Sequence, residues 1–348
     1  MSTTTIPRAP RADPPVRARG SRASLLALGL LGAAALLLLA VALSIAVGAK
    51  PVPLGDVWTA WRHPDGSYVS TVVASRIPRT ELGVLVGAAL AVAGVVIQGL
   101  TRNPLGDPGL LGVNAGAAAS VVVVAAVAGA GAGRSVWAAI PGALLAAVAV
   151  YLVGSGGRRA TPVRLVLAGA AVSAVLVALV EAISLARPEV FDSYRAWVVG
   201  SLAGRPPGTV GEIAPFVVVG LVLCVLLARP LNALALGDEA ATSLGLRAGR
   251  TRLLGAAVAT VLCAAAVAAC GPIAFVGLAV PHVVRSFTGS DHRWLLPYCA
   301  LLGPVLLLAA DVVGRVVARP GELMVGAVTA FVGAPFLIAA VRRGRVAL

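Results

Sequence analysis

Apolar runs of about twenty residues follow one another along almost the whole chain, and no single water-soluble core could absorb them all. They lie near 24–47, 81–100, 109–131, 135–154, 163–186, 212–229, 252–270, 272–287, 294–311 and 322–341. Each is a candidate for an α-helix that crosses a bilayer. The predicted fold class is therefore all-α and integral to the membrane, with about ten transmembrane helices. Gly271-Pro272 divides the seventh run from the eighth, because proline ends or kinks a helix. Only 12% of the residues are charged, against about 25% in soluble domains.

An even number of spans puts both termini on one side. That side carries 18 of the 28 Lys and Arg residues, so the positive-inside rule assigns it to the cytoplasm. The net charge of +14 is thus a topological signal, since the arginines form no basic stripe or aromatic platform for nucleic acid. Residues 1–22, rich in Pro, Arg and Thr, are expected to form a disordered cytoplasmic tail. The first apolar run exceeds the ~7–15-residue core of a signal peptide, so it is expected to stay as a span.

Several chemistries are disfavoured. The chain has no G-x-x-x-x-G-K-[ST] loop for ATP and no H-E-x-x-H metal helix. Cys224, Cys263, Cys270 and Cys299 have no metal-ligand spacing and read as small core hydrophobes. No resident metal, cofactor or catalytic residue is expected. Charged residues within the runs are few; Glu181 and Asp311 are the main ones. Both sit near span ends, where a solvated or hydrogen-bonded carboxylate accounts for them, so an ion-coupled secondary transporter is disfavoured.

An ordered set of motifs remains. Arg76-Ile77-Pro78-Arg79 precedes a Gly87–Gly94 small-residue run and Gln98. Thr101-Arg102-Asn103-Pro104-Leu105-Gly106-Asp107-Pro108 leads to Gly112-Val113-Asn114. Gly237-Asp238-Glu239-Ala240-Ala241, Leu244-Gly245, Gly271-Pro272-Ile273-Ala274-Phe275, Pro281-His282, Asp291-His292-Arg293 and Gly333-Ala334-Pro335 follow. In order and spacing the chain resembles the permease family of iron-siderophore and cobalamin importers, from about residue 24 to the C-terminus. Pro162-Val163-Arg164-Leu165, Gly237 to Gly245 and Pro320-Gly321-Glu322-Leu323 make it look most like the ferric enterobactin, or catecholate, permeases.

The resemblance implies that residues 23–348 form a polytopic permease domain in the bacterial cytoplasmic membrane. It would pair with a second permease subunit, a paralogue or another copy of itself. Two cytoplasmic ATP-binding subunits would use ATP and Mg, and an extracytoplasmic binding protein would deliver a ferric siderophore. Cobalamin or haem is the alternative cargo. Arg76 and Arg79, with Pro78 stiffening a loop before the second span, and Arg315 after the ninth, match docking points for acidic residues of the binding protein; interfacial snorkelling is the alternative. Within a cytoplasmic loop at about 230–251, Gly237, Asp238, Glu239, Ala240, Ala241, Leu244 and Gly245 match the ATPase-coupling segment. Asp238 and Glu239 would start a short helix, Gly245 would stop it, and Ala240, Ala241 and Leu244 would share an apolar face.

Gln98, Asn103 and Asn114 are candidates for lining or gating the pathway, or for caps and interhelical hydrogen bonds. Thr161, Pro162 and Val163 stand where related cobalamin importers carry small hydroxyl residues at the cytoplasmic gate. The departure at Pro162 and Val163 favours a siderophore. His282 and the Asp291-His292-Arg293 turn are expected to be structural.

Overall fold

A computed structural model describes residues 19–48, 50–63, 65–129, 136–156 and 162–342. The chain forms fourteen α-helices in these residues: α1 (Arg19–Ala46), α2 (Leu54–Arg62), α3 (Tyr68–Thr101), α4 (Val113–Ala128), α5 (Val136–Ser155), α6 (Pro162–Ala186), α7 (Pro188–Val198), α8 (Thr209–Leu226), α9 (Ala228–Ala235), α10 (Asp238–Ser243), α11 (Ala248–Cys270), α12 (Val276–Thr288), α13 (His292–Val317) and α14 (Val325–Arg342). Most of the expected tail at 1–22 lies outside the described residues.

A helix coincides with each of the ten expected spans, but the helices are unequal. Seven of them, α1, α3, α5, α6, α8, α11 and α13, are long and apolar enough to cross a bilayer. The α4 helix has 16 residues, and the apolar part of α14 is similarly short. Helix α12 has 13 residues, or about 20 Å of rise, against about 30 Å of hydrocarbon. It follows a non-helical segment, and Phe275, just before it, takes a left-handed φ of 69°. The run at 272–287 is therefore a partial crossing.

The bundle is built around α3. In its apolar window 83% of the residues are buried, against 11% for α1 and 17% for α6. Lipid competes for apolar side chains as well as protein does, so close helix contact in a membrane depends on small residues. Here they bring backbones together. A Cβ on Gly94 would lie 1.9 Å from the carbonyl oxygen of Gly277 in α12. One on Gly87 would lie 2.6 Å from the backbone of Pro304 in α13. Gly116 and Gly142 make a similar contact between α4 and α5. Cys224, Cys263, Cys270 and Cys299 are all buried and unpaired in this core.

Side-chain contacts align the helix ends into two edges. Arg22 of α1 reaches the carbonyl of Thr288 at the end of α12, and Tyr298 of α13 donates to Leu26. The opposite ends of α1 and α13 meet through Ser44 and Arg315. The arginine bias makes the first edge cytoplasmic and the second outer. At the outer edge, α2 has no buried residue and exposes Trp58 and Trp61, 5.5 Å apart. Tryptophans concentrate at membrane–water boundaries, and that is where this helix sits by composition.

Candidate transport site and family

The outer edge holds an unusual concentration of charge. Arg76-Ile77-Pro78-Arg79 lies inside α3, not in a loop. Its helix starts at Tyr68, where Ser67 caps it by accepting from the Ser70 amide. Residues 68–80 are too polar to register as a span, so hydropathy places the start too late. Pro78 lies inside this helix, where it removes one backbone hydrogen bond and its ring crowds the carbonyl one turn earlier.

Arg76 is buried and donates Nη1 to the carbonyls of Ile45 and Ala46, and Nη2 to that of Lys50. It thereby satisfies carbonyls left open where α1 ends. Asp311 is 1% exposed and shared by two guanidiniums. Arg79 Nη2 lies 2.8 Å from Oδ1, and Arg315 Nη2 lies 3.0 Å from Oδ2. Arg315, 2% exposed, also donates to the carbonyl and hydroxyl of Ser44, and Ser44 Oγ lies 2.8 Å from Thr80 Oγ1. Arg79 Nη1 reaches Glu322 Oε2 at 2.7 Å. Three arginines, 76, 79 and 315, thus gather around two carboxylates, Asp311 and Glu322.

The three expected docking residues are therefore brought together, but two of them face inward. Arg76 and Arg315 are bonded to protein and buried. Arg79 opens toward the surface through Glu322, which is 38% exposed. Ser44, Asp311 and Glu322 complete the cluster. A lone serine in an apolar run gives no signal of this role, and Glu322 was visible only within the Pro320–Leu323 motif.

On the inner edge, charge is balanced by amides and shallow pairs. Gln98 is buried; its Nε2 donates to the carbonyl of Gly277, and its Oε1 accepts from Arg285 Nη2. It joins α3 to α12 and does not stand free in a channel. Asn103 accepts from the Leu105 amide in a turn, just after Arg102 ends α3 with φ 50°. Asn114 lies in the first turn of α4, and its Oδ1 is buried with no partner among the described residues. Thr161 lies outside the described residues, Pro162 begins α6, and Val163 is exposed.

Asp291 caps α13 by accepting from the Arg293 amide. The Arg293 side chain holds its carboxyl down to about 2, burial opposes this, and Asn232 adds to the lowering. Asn232 Oδ1 is also hydrogen-bonded to the amide and Nδ1 of His292. The Asp291-His292-Arg293 turn is thus the expected structural cap, with Asn232 of α9 as a partner that lies 60 residues away in sequence.

The 237–245 segment forms a corner. Gly237 precedes α10 with φ 105°, Asp238 and Glu239 occupy its first turn, and Gly245 follows with φ 80°. The expected shared face divides: Ala241 is fully buried against the bundle, Ala240 is half-buried, and Leu244 is 69% exposed. Leu246 donates back to the Ala241 carbonyl, so Ala241 is the pin of the corner and Leu244 its outward point. Asp238 is held by Arg252, at 2.6 Å, and by Arg102, at 3.2 Å. It ties α10 to α11 and to the end of α3.

Comparison with known proteins gives this architecture a family. The profile of the FecCD transport family matches residues 36–343. The chain belongs to that family. This FecCD chain is 47% identical to the ferric enterobactin transport system permease protein FepD of Escherichia coli (strain K12), over 93% of this chain and 98% of that protein. It is 41% identical to the cobalamin import system permease protein BtuC of Halobacterium salinarum, over 76% of this chain and 71% of that one. A solved metal-chelate type ABC transporter in an inward-facing conformation superposes with a TM-score of 0.78 at 26% identity, covering 91% of this chain and 99% of that one. The FecCD chain is a multi-pass transport protein of the cytoplasmic membrane, and its family consists of permease subunits rather than enzymes.

Proposed function

We propose that the chain is the permease subunit of an ATP-binding-cassette importer that carries a ferric siderophore of the catecholate type. The observation that carries this reading is the 47% identity to a ferric enterobactin permease along nearly the full length of both chains. ATP and Mg are used by two separate cytoplasmic subunits, and a second permease subunit, a paralogue or another copy, completes the pathway. An apolar groove lies between α12, α13 and α14. It encloses about 510 Å³ and is lined almost wholly by apolar residues, among them Phe275, Leu306, Val313 and Val332.

The outer arginine cluster receives the acidic surface of an extracytoplasmic binding protein. Arg79 makes the direct contact, while Arg76 and Arg315 set the geometry and the positive surplus of the site. The Gly237–Gly245 corner transmits ATPase movement: Leu244 enters the partner subunit, and Asp238 fixes the corner to α11 and α3. Gln98, Asn103 and Asn114 hold the inner ends of α3 and α4.

The test is uptake of radiolabelled ferric siderophore into proteoliposomes containing this chain, its partner permease and the ATPase, with binding protein outside. Uptake that requires ATP and binding protein, and falls at least tenfold in Arg79→Glu, is expected. Uptake without ATP would overturn the importer reading in favour of ion coupling. Transport of cobalamin or haem in place of every ferric siderophore would overturn the cargo alone.

A further inference from the structure

Where α8 gives way to α9, beside the start of α13, the inner edge opens into a cleft of about 420 Å³. Its walls divide by depth. Val225 and Leu226 lie one turn deeper in the membrane than Arg229, and Leu296 and Pro297 one turn deeper than Arg293, because α8 runs inward and α13 outward. Val225 and Leu226 are 60% and 69% exposed, so the apolar wall faces lipid. The cleft is thus apolar on its membrane side and cationic on its water side.

Four other inner-edge arginines have protein partners, whereas Arg247 and Arg250, exposed and without a hydrogen bond or ion pair among the described residues, do not line the cleft. Arg22 donates to Thr288, Arg102 and Arg252 pair with Asp238, and Arg285 donates to Gln98. Arg229 is exposed and has no hydrogen bond or ion pair among the described residues. Arg293 pairs through Nε and Nη2 with Asp291, which leaves Nη1 uncommitted. Asp291 itself does not line the cleft. Two guanidiniums at the headgroup level above an apolar slot match a phosphodiester with its acyl chains, since basic pockets between helices on the cytoplasmic side select anionic lipid headgroups.

We infer that this cleft is a binding site for an anionic phospholipid of the inner leaflet. Arg229 and Arg293 hold the phosphate, and an acyl chain lies along Val225, Leu226, Leu296 and Pro297. A free phosphate ion would satisfy the arginines but leave the apolar wall unused. A zwitterionic lipid would bring its own cation toward them. The bound lipid would pin the α8–α9 junction, the segment that leads directly into the Gly237–Gly245 corner.

Native mass spectrometry of the full-length chain in detergent tests this, with phosphatidylglycerol, phosphatidylcholine of the same acyl chains, or inorganic phosphate added. Phosphatidylglycerol should be retained about tenfold more strongly than phosphatidylcholine, and Arg229→Gln should remove most of that difference, while Arg229→Lys keeps it. Millimolar phosphate should not displace the lipid. Equal retention of both lipids, unchanged retention in Arg229→Gln, or full displacement by phosphate would each overturn the site. Arg229 makes no side-chain hydrogen bond or ion pair among the described residues, so Arg229→Gln should melt with wild type in phosphatidylcholine alone. A lower melting point there would show that the arginine is structural and would count against the site.

Discussion

The two edges of the bundle solve the same problem, holding helix ends together beside a membrane, with opposite chemistry. The outer edge buries full charges: Asp311 and Arg315 are 1% and 2% exposed. The inner edge relies on amide bridges through Gln98 and Asn232, and on ion pairs that water still reaches, such as Asp238–Arg252 at 43% and 29% exposure. A buried charge left without its partner costs far more than a surface pair is worth. The outer edge should therefore tolerate no single loss, whereas the inner edge can release and remake its contacts one at a time. On the proposed function, that asymmetry would give a fixed face outside and a movable one toward the ATPase.

The largest test of this contrast is Asp311→Ala, which takes from Arg79 and Arg315 the buried carboxylate they share. It should lower stability by about 3–5 kcal/mol, read as a large drop in thermal midpoint in detergent. A drop no greater than that of an exposed pair would erase the distinction between the edges. Next comes Asn232→Leu, which removes hydrogen-bond partners of Asp291 and His292 and should cost about 1–3 kcal/mol in denaturant titration. Acid should weaken the inner cap. Asp291 titrates near 2 in the folded chain and near its ordinary 3.8 when unfolded. Its contribution is complete above about 4 and fades as pH falls toward 2. Unfolding of wild type followed across that range should be steeper with pH than that of Asp291→Asn. The smallest effect is expected from Arg102→Ala, whose pair with Asp238 is 47% and 43% exposed; it should shift stability by less than about 1 kcal/mol.

Hydropathy located a helix for every expected span because the lipid requirement is a local property of each run. It failed where the reason for a helix is not lipid. The start of α3 is polar because it carries the arginines of the outer cluster, and α12 is short because the 271–274 stretch ahead of it is not helical. The cap at Asp291 and the stop at Gly245 were legible, since caps depend on neighbours in sequence. Partners such as Ser44 for Arg315 and Asn232 for His292 lie 271 and 60 residues apart, and no local pattern encodes such a pairing. The split of Ala241 from Leu244 escaped for the same reason: helical spacing gives a face but not what covers it.

The bare backbone seams along α3 bear on how such a chain can diversify. At Gly87, Gly94 and Gly277 the neighbouring main chain occupies the space of any side chain, so a substitution there must push whole helices apart. No compensating change elsewhere restores the fit by trimming, because nothing is left to trim. Adaptation to a new cargo or a new partner is thereby driven outward, onto the thinly covered helices α1 and α6 and the exposed corner at Leu244, while the axis about which they are arranged stays the same.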